Sequence, residues 1–367
     1  MRKAVIIICT LFMITLGGLA CWAKEPATPQ VKLSEAIDLS LKHSSDLRKS
    51  ALETEKSEEA RQKADDQVSF APGGDQNPAA DAAWYSLLSA DLNLQMSKKS
   101  YTLEEDRLIL EVCQKYWNVQ KSLEGVKVKE LSLAVAELTS RRVQAMVRLG
   151  MTPPDFSAGS SPAAVLASAE GDLAQARSDL AEAQNKLNSD YESFNQLLGL
   201  WPEDRPVLVD EAQFEPLPEI DLEQAVQRVL EKSPTVWQAE EKIQLAKFAY
   251  EKMWATGQYT SHAVREIEME QAEIDAASTK DSVRLATRGL YYTALNLEAG
   301  IPVAENAVSS AEESLRVAKA QFELGMIKKE NLVKSEVALA QARQTLLGLR
   351  QQHAYMRLAL EKPWAVV

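Results

Sequence analysis

Chemistry needs side chains that exchange protons, hold metals or attack, and this chain offers few of them. It has three histidines, His43, His262 and His353, and no two share a helix turn, so they cannot pair as metal ligands on one helix face. Each reads as a surface residue: His43 stands just before a helix bend, and His353 falls in a Gln-rich helix. Cys113 lies on an apolar stripe with Ile109, Val112 and Tyr116, and reads as a small buried hydrophobe rather than a reactive thiol. Pro72-Gly73-Gly74-Asp75 is a loop that matches no phosphate-binding pattern. The many Asp and Glu residues read as the solvated faces of helices. No catalytic constellation, metal set or cofactor site emerges, and the chain reads as a non-enzyme.

The elements that would position any site begin after a leader. Arg2 and Lys3 precede an uncharged run from Ala4 to Ala20, and the polar chain begins at Lys24, so residues 1–23 read as an export signal. Two processing routes compete: cleavage after Ala23, or lipidation of Cys21 behind Gly18-Leu19-Ala20. An uncleaved anchor is the third reading, since about 17 apolar residues is near the lower limit for a membrane span. No later run approaches that length. The whole chain carries 41 Lys and Arg against 53 Asp and Glu, a net −12; without Arg2 and Lys3 the balance is 39 against 53, or −14. Such a surface repels phosphate backbones and disfavours nucleic acid. Cys9 and Cys21 leave with the leader, so Cys113 has no intrachain partner. Aromatics at 6%, with 14 Gly and 14 Pro in 367 residues, suit long helices better than layered sheets.

An internal repeat organises the rest. Leu33-Ser34-Glu35-Ala36-Ile37 returns as Leu222-Glu223-Gln224-Ala225-Val226, and Leu41-Lys42-His43-Ser44 as Leu230-Glu231-Lys232-Ser233, both at an offset of 189. Tyr116-Trp117 returns as Tyr291-Tyr292 and Leu149-Gly150-Met151 as Leu324-Gly325-Met326, at 175. Leu173-Ala174-Gln175-Ala176-Arg177 returns as Leu339-Ala340-Gln341-Ala342-Arg343, at 166. The pattern predicts three helices per copy: about Leu33 to Asp65 and Asp221 to Trp254; Ser97 to Leu149 and His262 to Leu324; Pro162 to Leu198 and Lys329 to Glu361. Glu- and Pro-containing residues 202–220 link the copies. Gly300 and Pro302 should kink the second copy's long helix. Apolar steps of three and four, as in Ile109, Val112, Tyr116, Val119, Leu123 and Val126, indicate coiled-coil packing. In the last helix Leu332, Val333, Val337, Leu339, Ala340, Ala342 and Leu346 spread wider than one seam, as expected where helices stand side by side in a sheet or tube.

These blocks resemble the TolC-type outer membrane efflux family over Val31 to about Glu361. The resemblance rests on the repeated helix starts and on Ala320-Gln321-Phe322-Glu323-Leu324-Gly325 followed by Leu332 and the Leu-Ala-Gln-Ala-Arg block. It implies an all-α or nearly all-α fold of long antiparallel coiled-coil hairpins in two tandem repeats, 24–220 and 221–367. The hairpin tips would lie near 150–161 and 325–328. It further implies a homotrimer whose copies form a pseudo-sixfold tube, working with a periplasmic adaptor and an inner-membrane transporter. Leu149, Gly150, Met151, Leu324, Gly325 and Met326 would form the adaptor-facing tips, and Asn331 and Lys334 would stand at the pore constriction.

Two departures limit what carries over. The family places two transmembrane strands between the first and second helices of each copy. Here the first copy (region 67–97) supplies one alternating stretch, Leu88, Ala90, Leu92, Leu94 and Met96, so at most a vestigial β-hairpin fits near 84–96. The second copy has only the connector 255–261. A full barrel is not available from this sequence, and membrane association stays open. At the tip, Asn331 and Lys334 stand where members often carry Asp, so cation gating does not follow. Lys328, Lys329 and Glu330 read as a solvated tip, with adaptor contact as the competing role. Two functions remain open: an export conduit in the outer membrane or periplasm, and a coiled-coil spacer or adaptor-like envelope protein that has lost its barrel.

Overall fold

The computed structural model describes residues 27–69, 78–151, 161–219, 221–251 and 261–366; the leader, Cys21 and Ala23, the Pro72–Asp75 loop, most of the first tip's insert and nearly all of the 255–261 connector lie outside these. The described residues form α1 (Leu33–His43), α2 (Ser45–Ser69), α3 (Pro78–Arg148), α4 (Pro162–Leu198), α5 (Leu222–Lys232), α6 (Pro234–Glu251), α7 (His262–Glu323) and α8 (Lys329–Glu361). A two-residue strand precedes each set, β1 (Gln30–Val31) and β2 (Val207–Leu208), and a 3-10 turn (Pro363–Ala365) ends the chain. The fold is the nearly all-α arrangement of long hairpins. At about 1.5 Å per residue the 71 residues of α3 span roughly 107 Å and the 62 of α7 roughly 93 Å.

The first helix of each set, expected as one span with a bend after His43 in the first copy, is broken into two helices in both. Ser44 ends α1 in an extended conformation (φ −61°, ψ 119°), and its Oγ accepts Leu47 N–H at 3.1 Å to cap α2. Ser233 repeats the device (φ −63°, ψ 120°), its Oγ accepting Val236 N–H at 3.3 Å. A hydroxyl that serves the next helix's free amides makes such a break tolerable. The stretch 84–96 is not a strand: it lies inside α3, which starts near Pro78 rather than Ser97. Gly300 and Pro302, where a kink is expected, lie inside α7, which keeps its helical assignment from His262 to Glu323.

The main core sits near the middle of α3. Val112, Cys113, Tyr116, Trp117 and Val119 pack against Tyr191, Phe194 and Leu198 of α4 and against Val31, Ala36 and Leu47. Burial pushes the Cys113 thiol up to about 11, which keeps it protonated and inert. The segment joining the two sets is pinned across this core. β1 and β2 pair in parallel, Gln30 opposite Val207 and Val31 opposite Leu208. Tyr116 Oη donates to Val31 O at 3.1 Å and accepts Asp210 N–H at 3.0 Å. Asn195 Nδ2 donates to Trp201 O at 3.0 Å and Asp204 O at 2.8 Å, folding the chain over the end of α4. The C-terminal turn is latched to α3, where Asp106 accepts Lys362 Nζ at 2.5 Å and Trp364 Nε1 at 2.9 Å.

Candidate functional site

Both long helices end in the same backbone motif. Gly150 and Gly325 have φ of +70°, a left-handed conformation that only glycine takes cheaply. Met151 N–H bonds Met146 O at 2.9 Å and Gly150 N–H bonds Val147 O at 3.0 Å; Met326 N–H bonds Gln321 O at 2.8 Å and Gly325 N–H bonds Phe322 O at 2.9 Å. These are Schellman caps, which close a helix by reusing its last free carbonyls. Each cap projects two large apolar side chains into solvent: Leu149 is 74% exposed and Leu324 75%, with Met151 and Met326 also exposed.

An ion cluster brings the two tips to one end of the molecule. Arg142, near the end of α3, places Nε 3.0 Å from Glu330 Oε2 on the first turn of α8, and Lys334 Nζ lies 2.8 Å from Glu330 Oε1. Glu330 is buried, not part of a solvated tip, whereas Lys328 and Lys329 are exposed. Burial alone would raise its carboxyl, but the Lys334 hydrogen bond and the nearby Arg142 and Lys334 charges hold it below the ordinary value of 4.5. Lys334 is therefore engaged with Glu330, and Asn331 beside it is exposed.

Two of the histidines are exposed: His43, whose ring lies where a Cβ at position 199 would point, and His262, edge-on to Tyr250. His353 is not a surface residue. It is 0% exposed, its Nε2 lies 3.0 Å from Glu298 Oε1, and its ring meets Phe214 edge-on. The same Glu298 oxygen accepts Leu217 N–H at 2.5 Å, so α7, α8 and the segment between the sets are tied at one carboxylate. Glu298 lies 55 residues before His353 in the chain, and no local spacing announced the contact. Among the described residues no group of three or more His, Cys, Asp or Glu is placed to hold a metal.

The repeat places equivalent residues in unequal surroundings. Trp117 is 6% exposed, in a core cluster against which Ala354, Tyr355 and Leu358 of α8 pack, whereas Tyr292, its counterpart on α7, is 53% exposed. Ile267, Ile274, Leu285 and Val303 of α7 are also exposed. At about 100° per residue these five side chains fall within roughly 20° of one direction, an uncovered apolar line interrupted by exposed Ser278 and Asn296 on the same face. On α4, exposed Ala167, Ala174 and Ala181 recur every seventh residue and leave room for a closely packed helix.

No protein-family model and no curated protein matches the chain, but solved structures do. It is similar to the Campylobacter jejuni CmeC outer membrane channel (12% identity, 95% of this chain and 91% of that one, TM-score 0.66). It is similar also to the open state of the Neisseria gonorrhoeae MtrE outer membrane channel (16% identity, 91% and 88%, TM-score 0.63). The Vibrio cholerae outer membrane protein VceC superposes at a TM-score of 0.59, with 13% identity over 91% and 96%. The fold is that of the TolC-type outer membrane channels, as the sequence resemblance implied.

Proposed function

We propose that this chain is one subunit of a homotrimeric helical conduit in the cell envelope, working with a periplasmic adaptor and an inner-membrane transporter. Residues 24–220 and 221–367 act as tandem copies of one hairpin unit, exported by the leader. The observation that carries the reading is the contrast between covered Trp117 and uncovered Tyr292. Within the chain, α3 of the first copy packs on α8 of the second. The equivalent contact, α7 of the second copy on α4 of the first, has no comparable packing among the described residues, which leaves it to a neighbouring subunit. Repeated head to tail, that contact closes a ring. Leu149, Gly150, Met151, Leu324, Gly325 and Met326 then crown one end of the tube as the adaptor-facing tips, with Asn331 and Lys334 at its mouth.

A second reading rests on the short gaps between the first and second long helices of each copy. α2 ends at Ser69 and α3 begins at Pro78, which leaves eight residues between them, and the gap from Glu251 to His262 leaves ten. A pair of spanning strands needs about 18–22 residues. A barrel-less tube would act as a spacer or docking protein in the envelope. Mass measurement by light scattering together with planar-bilayer conductance separates the two. The conduit reading expects a trimer and discrete channels; a stable monomer at every concentration overturns it, and a trimer without channels leaves the spacer.

A further inference from the structure

A groove of about 840 Å³ runs between the joining segment, α5 and the C-terminal turn. It lies within the ~300–1,000 Å³ range of ligand clefts. Four cations line it, Arg228, Lys232, Arg357 and Lys362, against two carboxylates, Glu215 and Glu361, in a chain whose net charge is −12. Its apolar wall is built from Leu217, Val229, Leu360 and Trp364.

The occupancy of these cations is uneven. Arg357 already holds the Glu215 carboxylate, and Lys362 holds Asp106. Glu215 belongs to a stretch without helix or strand, Glu215-Pro216-Leu217-Pro218, so one wall shows an irregular acidic segment seated on a groove cation with Leu217 beside it. Arg228 and Lys232 are exposed, one helical turn apart on α5, and neither has a carboxylate within ion-pair distance among the described residues. They leave the groove cationic and half filled.

We propose that this groove docks an extended acidic segment of a partner protein, with carboxylates on Arg228 and Lys232 and an apolar side chain on the Val229–Trp364 wall. The acidic exterior of the chain repels such a segment elsewhere and so steers it to this cationic concavity. The inference is independent of the conduit reading, because nothing in it requires a channel.

The test is fluorescence anisotropy of the full chain with a labelled Asp-Leu-Glu-Leu-Asp-Glu peptide. A peptide with Lys at each acidic position and phosphatidylglycerol vesicles serve as alternatives. The expected result is saturable binding of the acidic peptide only, weakened by about tenfold or more in Arg228→Glu/Lys232→Glu. Arg228→Gln/Lys232→Gln should weaken it less, and Lys49→Glu/Lys63→Glu, which changes net charge equally on α2, should leave it unchanged. Circular dichroism confirms that all variants keep their helix content. The proposal is overturned by absent binding, by equal loss in the α2 variant, or by vesicle binding that depends on Arg228 and Lys232 without peptide binding. A changed oligomeric mass in the α5 variants alone would assign the groove to a second copy and overturn it as well.

Discussion

Gly199 and Gly150 share a left-handed backbone, φ +69° and +70°, yet stand in different company. A Cβ on Gly150 would meet nothing within 4 Å, whereas one on Gly199 would lie 2.7 Å from His43 Cγ. Gly150→Ala should therefore cost only the left-handed penalty, about 1–2 kcal/mol. Gly199→Ala adds displacement of the His43 ring, about 1–3 kcal/mol more. Thermal melts of the two variants measure the difference, and equal losses would refute the His43 contact. Glu330 gives a pH signature. Its folded value lies below 4.5, so its contribution is present in full above 4.5 and disappears as pH falls through the lower folded value. Glu330→Gln should lower the melting temperature at pH 7 and have little effect well below that window. A gap of the same size at both pH values would show that the carboxylate's charge is not what holds Arg142 and Lys334.

At the scale of the element, Asp106 decides whether the C-terminus stays docked. It is buried on α3 and serves two partners, Lys362 and the indole of Trp364. Asp106→Ala would leave the buried Trp364 N–H without an acceptor, at a cost of about 1–3 kcal/mol. Hydrogen exchange over 359–366 should rise well beyond any change in α4. What was readable in advance follows the same division. The spans Pro162–Leu198 and Lys329–Glu361 and the two tip glycines emerge from local signals: a Ser-Pro start, and Gly after an apolar periodic run. The false strand at 84–96 arose because Leu88, Leu92 and Met96 satisfy a period of two and also the i, i+4 spacing of a helix. The segment has no β-branched residue and four of its thirteen residues are Leu, so helix propensity prevails. β2 had a modest signal in Val207-Leu208-Val209, but its partner, Gln30–Val31, is far away in sequence. The burial of His353 and Glu330 was illegible for the same reason: their partners Glu298 and Arg142 come from distant turns of other helices.

For the whole molecule, the question is what covers the stripe on α7. Burying a large aliphatic or aromatic side chain is worth about 1.5–3 kcal/mol, so five uncovered ones represent a strong drive to associate. If the contact is the equivalent of the α3–α8 packing, the opposing surface is the alanine row of α4, and the two surfaces make distinct predictions. Leu285→Lys/Tyr292→Lys should dissociate the oligomer, but so would many disruptive changes to an apolar face. Ala174→Lys is the sharper case. Ala174 is exposed in the single chain, and lysine is a good helix former, so an isolated subunit should tolerate the change within about 0.5 kcal/mol. In a head-to-tail ring it would thrust a charge into a seam that only small residues fit, and light scattering should then report a monomer with unchanged helix content. An intact oligomer carrying Ala174→Lys would mean that subunits meet through some other face, and the equivalence of the two copies would no longer explain the assembly.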